Sequence, residues 1–291
     1  MRVVDQRESI AAPPLTHRWV ERAVVFDCAG DQLVGVLTCP EAAHRRGIVV
    51  VVGGPQYRAG SHRQFTHLAR ALAGSGYPVL RFDVRGMGDS SGTPGGFESI
   101  DADIEAALSA FHNEMPGVDD FILWGLCDGA SAAMMFAAGG GRVNGIVAVN
   151  PWVRTDATLA RSHMRLYYPR RIMQREFWVN LLSGRVHVAR ALRSLLANVS
   201  AAKSRPTARP SFIERMQRGI EASPGPLLLV LSGNDLTARE FVEVAERPEW
   251  RRTLSGTQVA RVDIPDADHT FSRLKARLAV EHATLTWLAS W

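Results

Sequence analysis

Lysine is almost missing from this chain. Lys203 and Lys275 stand against a background in which the other basic residues, 32 of 34, are arginine. Cysteine is scarce too, with three residues at 28, 39 and 127, which fits a reducing compartment and excludes a disulfide-stapled scaffold. Cys28 and Cys39 read as lying on one hairpin that turns near Gly30-Asp31. Pairing about that turn sets Cys28 opposite residue 33 or so, away from Cys39, so no bridge is expected there. No Cys/His spacing suggests a zinc site, and neither a metal nor another cofactor is expected. No apolar run approaches the roughly 18–20 residues that span a bilayer. The first twenty residues hold Arg2, Asp5, Arg7, Glu8, Arg18 and Pro13-Pro14 without the apolar core of a signal peptide. A cytoplasmic location is the expectation. Repeats and low-complexity tracts are lacking as well.

What is present is enough apolar chain to build a large interior. With 291 residues and 46% hydrophobic content, one elaborated domain or two small ones can form. The net charge of +5 is unevenly spread. Residues 154–221 carry 14 Lys or Arg against Asp156, Glu176, Glu214 and Glu221, a local +10 that leaves −5 for the remainder. Such asymmetry marks a surface facing something anionic. The segment shows no recognised nucleic-acid motif, so nucleic acid is not the expected partner.

Apolar runs alternate with helical periodicity in the manner of an α/β protein. Val24–Cys28 and Leu33–Cys39 read as a hairpin, and Ile48–Val52, Val79–Asp83, Phe121–Leu126, Gly145–Val149, Leu227–Ser232 and Val259–Ile264 as six further strands. That makes eight, the later ones separated by helices. Helices are expected around Phe65–Leu72, from about Ser99 to Asn113, after Cys127, and at the C-terminus, where Phe271, Leu274, Leu278, Leu285 and Leu288 recur at helical steps. The interval between the sixth and seventh strands is long for a connection. It reads as a helical, arginine-rich cap over 151–222, inserted into a core formed by 1–150 and 223–291.

The chemistry centres on Gly125-Leu126-Cys127-Asp128-Gly129. This Gly-x-Cys-x-Gly turn follows an apolar strand and precedes a small-residue helix. Glycines two positions either side of the thiol let strand and helix backbones approach. The thiol is left at a helix N-terminus, where unpaired N–H groups and the macrodipole favour an anion. A buried, inert cysteine in a tight turn is the competing reading. A nucleophile needs a base and a group that orients the base. Asp235 follows the seventh strand and His269 the eighth, and ligand sites of open α/β sheets lie at such carboxyl ends. Asp266 and Asp268 also neighbour His269. An oxyanion hole is expected from the N–H of Asp128 and one from Gly53-Gly54-Pro55-Gln56-Tyr57-Arg58. Pro55 has no N–H, so Gln56 is the preferred second donor with Gly54 behind it. Asp83-Val84-Arg85-Gly86-Met87-Gly88-Asp89-Ser90 lacks the lysine of a phosphate loop and reads as a turn braced by Asp83, Arg85 and Asp89. Arg58, His62, Arg165, Tyr168, Arg171 and Trp178 are the candidate substrate contacts, the arginines suiting phosphate or carboxylate.

The ordered set of motifs resembles the α/β-hydrolase fold, over about residues 24–290. The resemblance implies an eight-stranded, mostly parallel sheet with a helical cap after the sixth strand, and a nucleophile, acid, histidine order of Cys127, Asp235 and His269. The thiol elbow is similar to that of dienelactone hydrolases. More narrowly, the stretch Gly53 to Phe65, Gly125 to Ser131, Asn150-Pro151-Trp152-Val153-Arg154 and Asn234-Asp235-Leu236-Thr237 resemble exosortase A system-associated hydrolases of type 1. Those proteins are linked to exopolysaccharide and envelope protein-sorting loci. Fold alone implies no reaction. A thiol nucleophile favours thioesters and labile esters over amides, so a cysteine-dependent acyl hydrolase or acyltransferase is the leading expectation. Its partner would be an acyl-containing small molecule or carrier-linked substrate of anionic character. A non-catalytic scaffold that holds an anionic partner through its basic cap, and a membrane-surface protein making peripheral contact through the same arginines, are the rival readings. Oligomeric state is not legible.

Overall fold

The structure, a computed structural model, describes residues 2–4, 16–54, 56–139, 142–154, 210–256 and 258–291. Its compact unit comprises Met1–Val153 with Ser211–Trp291. Among the described residues nine strands form one sheet: β1 (Arg2–Val4), β2 (Trp19–Cys28), β3 (Asp31–Pro40), β4 (Arg46–Val51), β5 (Val79–Phe82), β6 (Asp120–Leu126), β7 (Val143–Val149), β8 (Leu227–Ser232) and β9 (Val259–Ile264). Their order is β1-β9-β8-β7-β6-β4-β5-β3-β2. The eight expected strands are all there. The ninth is the short β1, which adds itself parallel to β9 at the sheet edge. Only the β2–β3 hairpin and the β3–β5 pair are antiparallel. Its turn gives Cys28 opposite Asp31 and Cys39 opposite Val20, and all three cysteines are free.

The central strands are apolar end to end because both faces are covered. Side chains alternate along them with period two. Ile48, Val50, Ile122, Trp124 and Leu126 point into one hydrophobic core, while Val49, Val51, Phe121 and Leu123 point into the other. Helices α1 (Gln64–Gly74) and α7 (Leu274–Leu288) cover the first face. Helices α2 (Asp101–Glu114), α3 (Asp128–Phe136), α4 (Phe212–Ala222), α5 (Leu236–Ala245) and α6 (Pro248–Leu254) contribute to the second.

Two expectations change. Helix α4, which composition grouped with the arginine-rich insertion, belongs to the core. Phe212, Ile213 and Met216 are buried in it, and a Cβ on Gly219 would lie 1.8 Å from the Met134 carbonyl oxygen, so the helix packs directly on α3. The core therefore resumes at Ser211 rather than at 223. Helix α7 lies where expected, and Phe271, Leu285 and Leu288 are buried as expected, but Leu274 is 61% exposed and Ala276, Ala279, Val280, Ala283 and Trp287 make up the rest of the buried face. Small residues at three- and four-residue steps let α7 approach closely, a signal that a search for large apolar residues passes over. No helix among the described residues is long and apolar enough to cross a membrane.

One buried charge sits on that helix. Glu281 is 5% exposed, its Oε1 has no hydrogen-bond partner among the described residues, and the Arg277 Nε lies 3.8 Å away. Burial pushes its carboxyl above the usual range, against the pull of Arg277. A carboxyl raised in the folded state binds its proton more readily folded than unfolded. Its stabilising contribution is full below the unfolded value and is lost as pH rises through the folded one. Glu281→Gln is thus expected to raise Tm by about 2 °C at pH 8 and by little at pH 4. Melting curves at the two pH values check this, and equal shifts at both would contradict it.

Candidate active site

The elbow forms where β6 runs into α3. Gly125 and Gly129 are required there by contact rather than by dihedral. A Cβ on Gly125 would meet the Gly129 carbonyl at 2.4 Å, and one on Gly129 would meet the Val51 carbonyl oxygen at 2.4 Å. Between them Cys127 adopts φ 60°, ψ −124°, a conformation disfavoured for a residue with a side chain and held by its surroundings. Its own N–H bonds the Val149 carbonyl at 2.9 Å, and its carbonyl accepts from Ala130, Ser131 and Trp152 N–H groups at 3.1–3.2 Å. Ser131 Oγ ties the elbow to the next strand end by donating to the Trp152 carbonyl at 2.7 Å. The thiol is half-buried.

Asp235 and His269 are brought to this thiol from the ends of β8 and β9. Asp235 caps α5, accepting from the N–H groups of Thr237 at 3.2 Å and Ala238 at 3.1 Å. His269 Nδ1 donates to Asp235 Oδ2 at 2.8 Å. The Cys127 sulfur also interacts with His269 and helps raise the ring. Burial alone would raise the Asp235 carboxyl, but the His269 bond and charge and the two helix N–H groups hold it below the usual range. The Asp235 hydrogen bond, then that of Cys127, pushes His269 up to about 10. The ring therefore rests as an imidazolium at neutral pH, between a carboxylate and the sulfur.

The loop that carries His269 is fixed by residues that the sequence reading did not single out for this task. Asn150 is fully buried, with φ 44°. Its side-chain amide donates to Ser232 Oγ at 2.8 Å and to the His269 carbonyl at 3.2 Å, while its Oδ1 accepts from the Ser232 N–H at 2.8 Å. Ser232 Oγ in turn donates to the Asp268 carbonyl at 3.0 Å. Asp268 is accordingly a loop brace, accepting from the N–H groups of Thr270 and Ser272 and from the Ser272 hydroxyl. The signal for Asn150 is its place: an Asn-Pro step at a strand end, where Asn tolerates positive φ and offers both donor and acceptor.

The remaining candidates divide. Gly54 and half-buried Gln56 lie on the loop after β4, and the Gly54 φ of 56° turns that loop. A Cβ on Gly53 would lie 2.3 Å from the Gly129 nitrogen, so this loop abuts the N-terminus of α3, where Asp128 stands. Exposed His62 stands near the His269 loop, close enough to interact with Asp268. Arg58 departs from expectation. Its guanidinium is ion-paired with fully buried Asp83 and, at 2.6 Å, with Asp89, leaving its side chain 12% exposed. It braces the turn after β5 instead of reaching substrate, because a fully buried Asp83 carboxylate needs a paired cation and Arg58 supplies it. Asp83 also accepts from the N–H groups of Arg58 and Asp89, and Arg85 pairs with Asp103 at 2.9 Å. The brace is thus Asp83, Asp89 and Arg58 in place of the expected Asp83, Arg85 and Asp89, with Arg85 turned to α2. Arg165, Tyr168, Arg171 and Trp178 lie outside the described residues. Among the described residues no group of three His, Cys, Asp or Glu side chains is arranged to hold a metal ion.

Comparison with known proteins agrees with this architecture. The model of the alpha/beta hydrolase family matches residues 48–281. The esterase Pf2001 of Pyrococcus furiosus superposes with a TM-score of 0.64, at 17% identity, over 99% of this chain and 98% of that one. The alpha/beta serine hydrolase without lid from Xanthomonas campestris gives 0.58 at 19% identity, over 92% and 94%. Est1E of Butyrivibrio proteoclasticus, solved with ferulic acid bound, gives 0.60 at 17% identity, over 92% and 100%. Protein ABHD12B of Homo sapiens is 40% identical over 74 residues, which are 24% of this chain and 20% of that protein. The chain thus matches a fifth of the length of that curated relative.

Proposed function

The chain belongs to the alpha/beta hydrolase family, and from that premise we propose that it is a cysteine-dependent acyl hydrolase or acyltransferase acting on an ester or thioester. The observation that carries this reading is His269, hydrogen-bonded to Asp235 and interacting with the sulfur of a strained elbow. Cys127 Sγ attacks the acyl carbon as a thiolate beside the imidazolium. The carbonyl oxygen becomes an oxyanion, received by the N–H of Asp128 and by an N–H of the Gly54–Gln56 loop. When the intermediate collapses, the carbonyl re-forms and the bond to the leaving oxygen or sulfur breaks. His269 gives its proton to that atom. The acyl group is then a thioester on Cys127. In the second half His269, now neutral, takes a proton from water or another acceptor hydroxyl, which attacks the acyl carbon and displaces the thiolate.

Esters and thioesters suit this site better than amides because thiolate leaves a tetrahedral intermediate more readily than an amine does. The arginine-rich segment supports an anionic substrate, either a phosphate-bearing acyl carrier or an acidic saccharide. Resemblance to exosortase-associated hydrolases supports a role in exopolysaccharide or envelope biosynthesis. Intact-mass spectrometry tests the reading. Wild-type protein, incubated with a panel of acyl thioesters and acetylated sugars, is expected to gain one acyl mass that Cys127→Ala does not. A folded, monodisperse protein with no adduct anywhere on the panel would leave the rival reading, a scaffold that binds through its basic segment.

A further inference from the structure

The segment that ends β7 reaches all three catalytic loops, although the scheme above uses none of its side chains. The Val149 carbonyl accepts from the Cys127 N–H at 2.9 Å, and the Trp152 N–H donates to the Cys127 carbonyl at 3.2 Å. Between them stands Asn150, fully buried, which turns the chain at φ 44°. Its own N–H ties it to β8 by donating to the Val230 carbonyl at 3.0 Å. The side chain reaches the other two loops. Oδ1 accepts at 2.8 Å from the N–H of Ser232, three residues before Asp235. Nδ2 donates to Ser232 Oγ at 2.8 Å and to the His269 carbonyl at 3.2 Å. The Ser232 hydroxyl donates in turn to the Asp268 carbonyl at 3.0 Å.

Two consecutive carbonyls are thus held from one amide, that of His269 directly and that of Asp268 through Ser232. They belong to the two peptide units that flank the His269 Cα. A peptide unit is planar and turns as a body, so holding both carbonyls fixes the direction in which the His269 side chain leaves the backbone. Only χ1 and χ2 are then free, and the bond from Nδ1 to Asp235 takes them up. Cys127 is bonded to the residue next door, so nucleophile and base are placed from one point. Asparagine meets these demands because it tolerates positive φ and offers two donors and an acceptor on one plane. We propose that Asn150 is a positioning residue for the reaction, setting the approach of the His269 ring to the Cys127 sulfur by fixing the backbone on both sides of the histidine. This inference rests on the acyl-cysteine reading and adds a residue that touches neither substrate nor the reacting atoms.

The test is acylation by p-nitrophenyl acetate, followed as the nitrophenol burst over a range of ester concentrations, beside NMR titration of the His269 ring. Asn150→Gly keeps the positive φ without strain and removes the clamp. Its acylation rate at saturating ester is expected to fall about a hundredfold, the scale of a misplacement of about 1 Å between reacting groups. The half-saturating concentration should stay within about twofold. The ring should titrate below the wild-type value of about 10, because its contacts with Asp235 and Cys127 slacken. Ser232→Ala frees the Asp268 carbonyl alone and should lose about tenfold in the same rate. A residue with a merely structural part would lower Tm and leave rate and titration where they are. Asn150→Gly acylating within about threefold of wild type, losing only affinity for the ester, or titrating as wild type does overturns the inference. Where that variant fails to fold, Ser232→Ala decides, and an unchanged acylation rate overturns it. A Cys127 adduct on wild-type protein keeps the parent reading in place through any of these results. Without that adduct the parent reading fails, and the ring titration still decides the role of Asn150.

Discussion

Cys127→Ala should reduce ester and thioester cleavage by about 10⁴-fold or more, to the level of the bare scaffold, while leaving the melting temperature almost unchanged. Cys127→Ser is the sharper variant. A serine hydroxyl must lose its proton to a neutral imidazole as it attacks, whereas the resting imidazole here is charged. With His269 at about 10, about one ring in a thousand is neutral at pH 7. The serine variant should therefore be about 10³-fold slower than wild type at pH 7, and its rate should climb about tenfold per pH unit. The plateau should fall somewhat below pH 10, since the hydrogen bond to the cysteine sulfur supplies part of the upward push on His269. Steady-state rates on one thioester between pH 6 and 10 give the comparison. A serine variant with wild-type rate and profile would mean that the sulfur is not the reacting atom.

The sheet and the three strand-end groups were legible because they rest on local signals: unbroken apolar runs for buried strands, glycines flanking a thiol, and polar loops at strand ends. Asp235 and His269 are separated by 34 residues, yet each could be placed because the chain order of a doubly covered sheet fixes which loops meet. Arg58 could not be placed. Its fate is decided by Asp83, 25 residues on and fully buried, and nothing local distinguishes an arginine reserved for a buried carboxylate from one facing solvent. Asn150 is marked as a turn residue by its place before Pro151, but its pairing with Ser232 is not legible, since that hydrogen bond spans 82 residues. The boundary at α4 is hidden in the sequence for a different reason. Arg215 and Arg218 continue the basic composition of the preceding segment, but Phe212, Ile213 and Met216 on the opposite face settle where the helix packs. Composition averages over the two faces, and packing does not.

Asp235→Asn separates the chemistry of the acid from its structural work. Asparagine caps a helix about as well as aspartate, so α5 should persist and Tm should fall by only a few degrees. The carboxylate charge is lost. The Asp235 hydrogen bond is the largest influence raising His269, so the ring should return toward the usual histidine value of about 6.5. Acylation that needs an imidazolium to hold the thiolate and protonate the leaving group should then fail on the alkaline side of that lower value. At pH 8 the loss should approach about 10⁴-fold, the scale on which a triad depends on its acid. Stability should carry the same signature. The raised His269 stabilises the fold fully below about 6.5 and loses that contribution as pH rises toward about 10. The lowered Asp235 contributes above its unfolded value of about 3.8 and loses it as pH falls. The difference in Tm between wild type and Asp235→Asn should therefore peak between about pH 4 and 6.5, and shrink on both sides. NMR titration of the His269 ring in the two proteins, beside their pH–rate profiles, separates electrostatic support from mere orientation. If the ring titrates alike in both, Asp235 does not set the charge of His269, and the imidazolium–thiolate pair loses its footing.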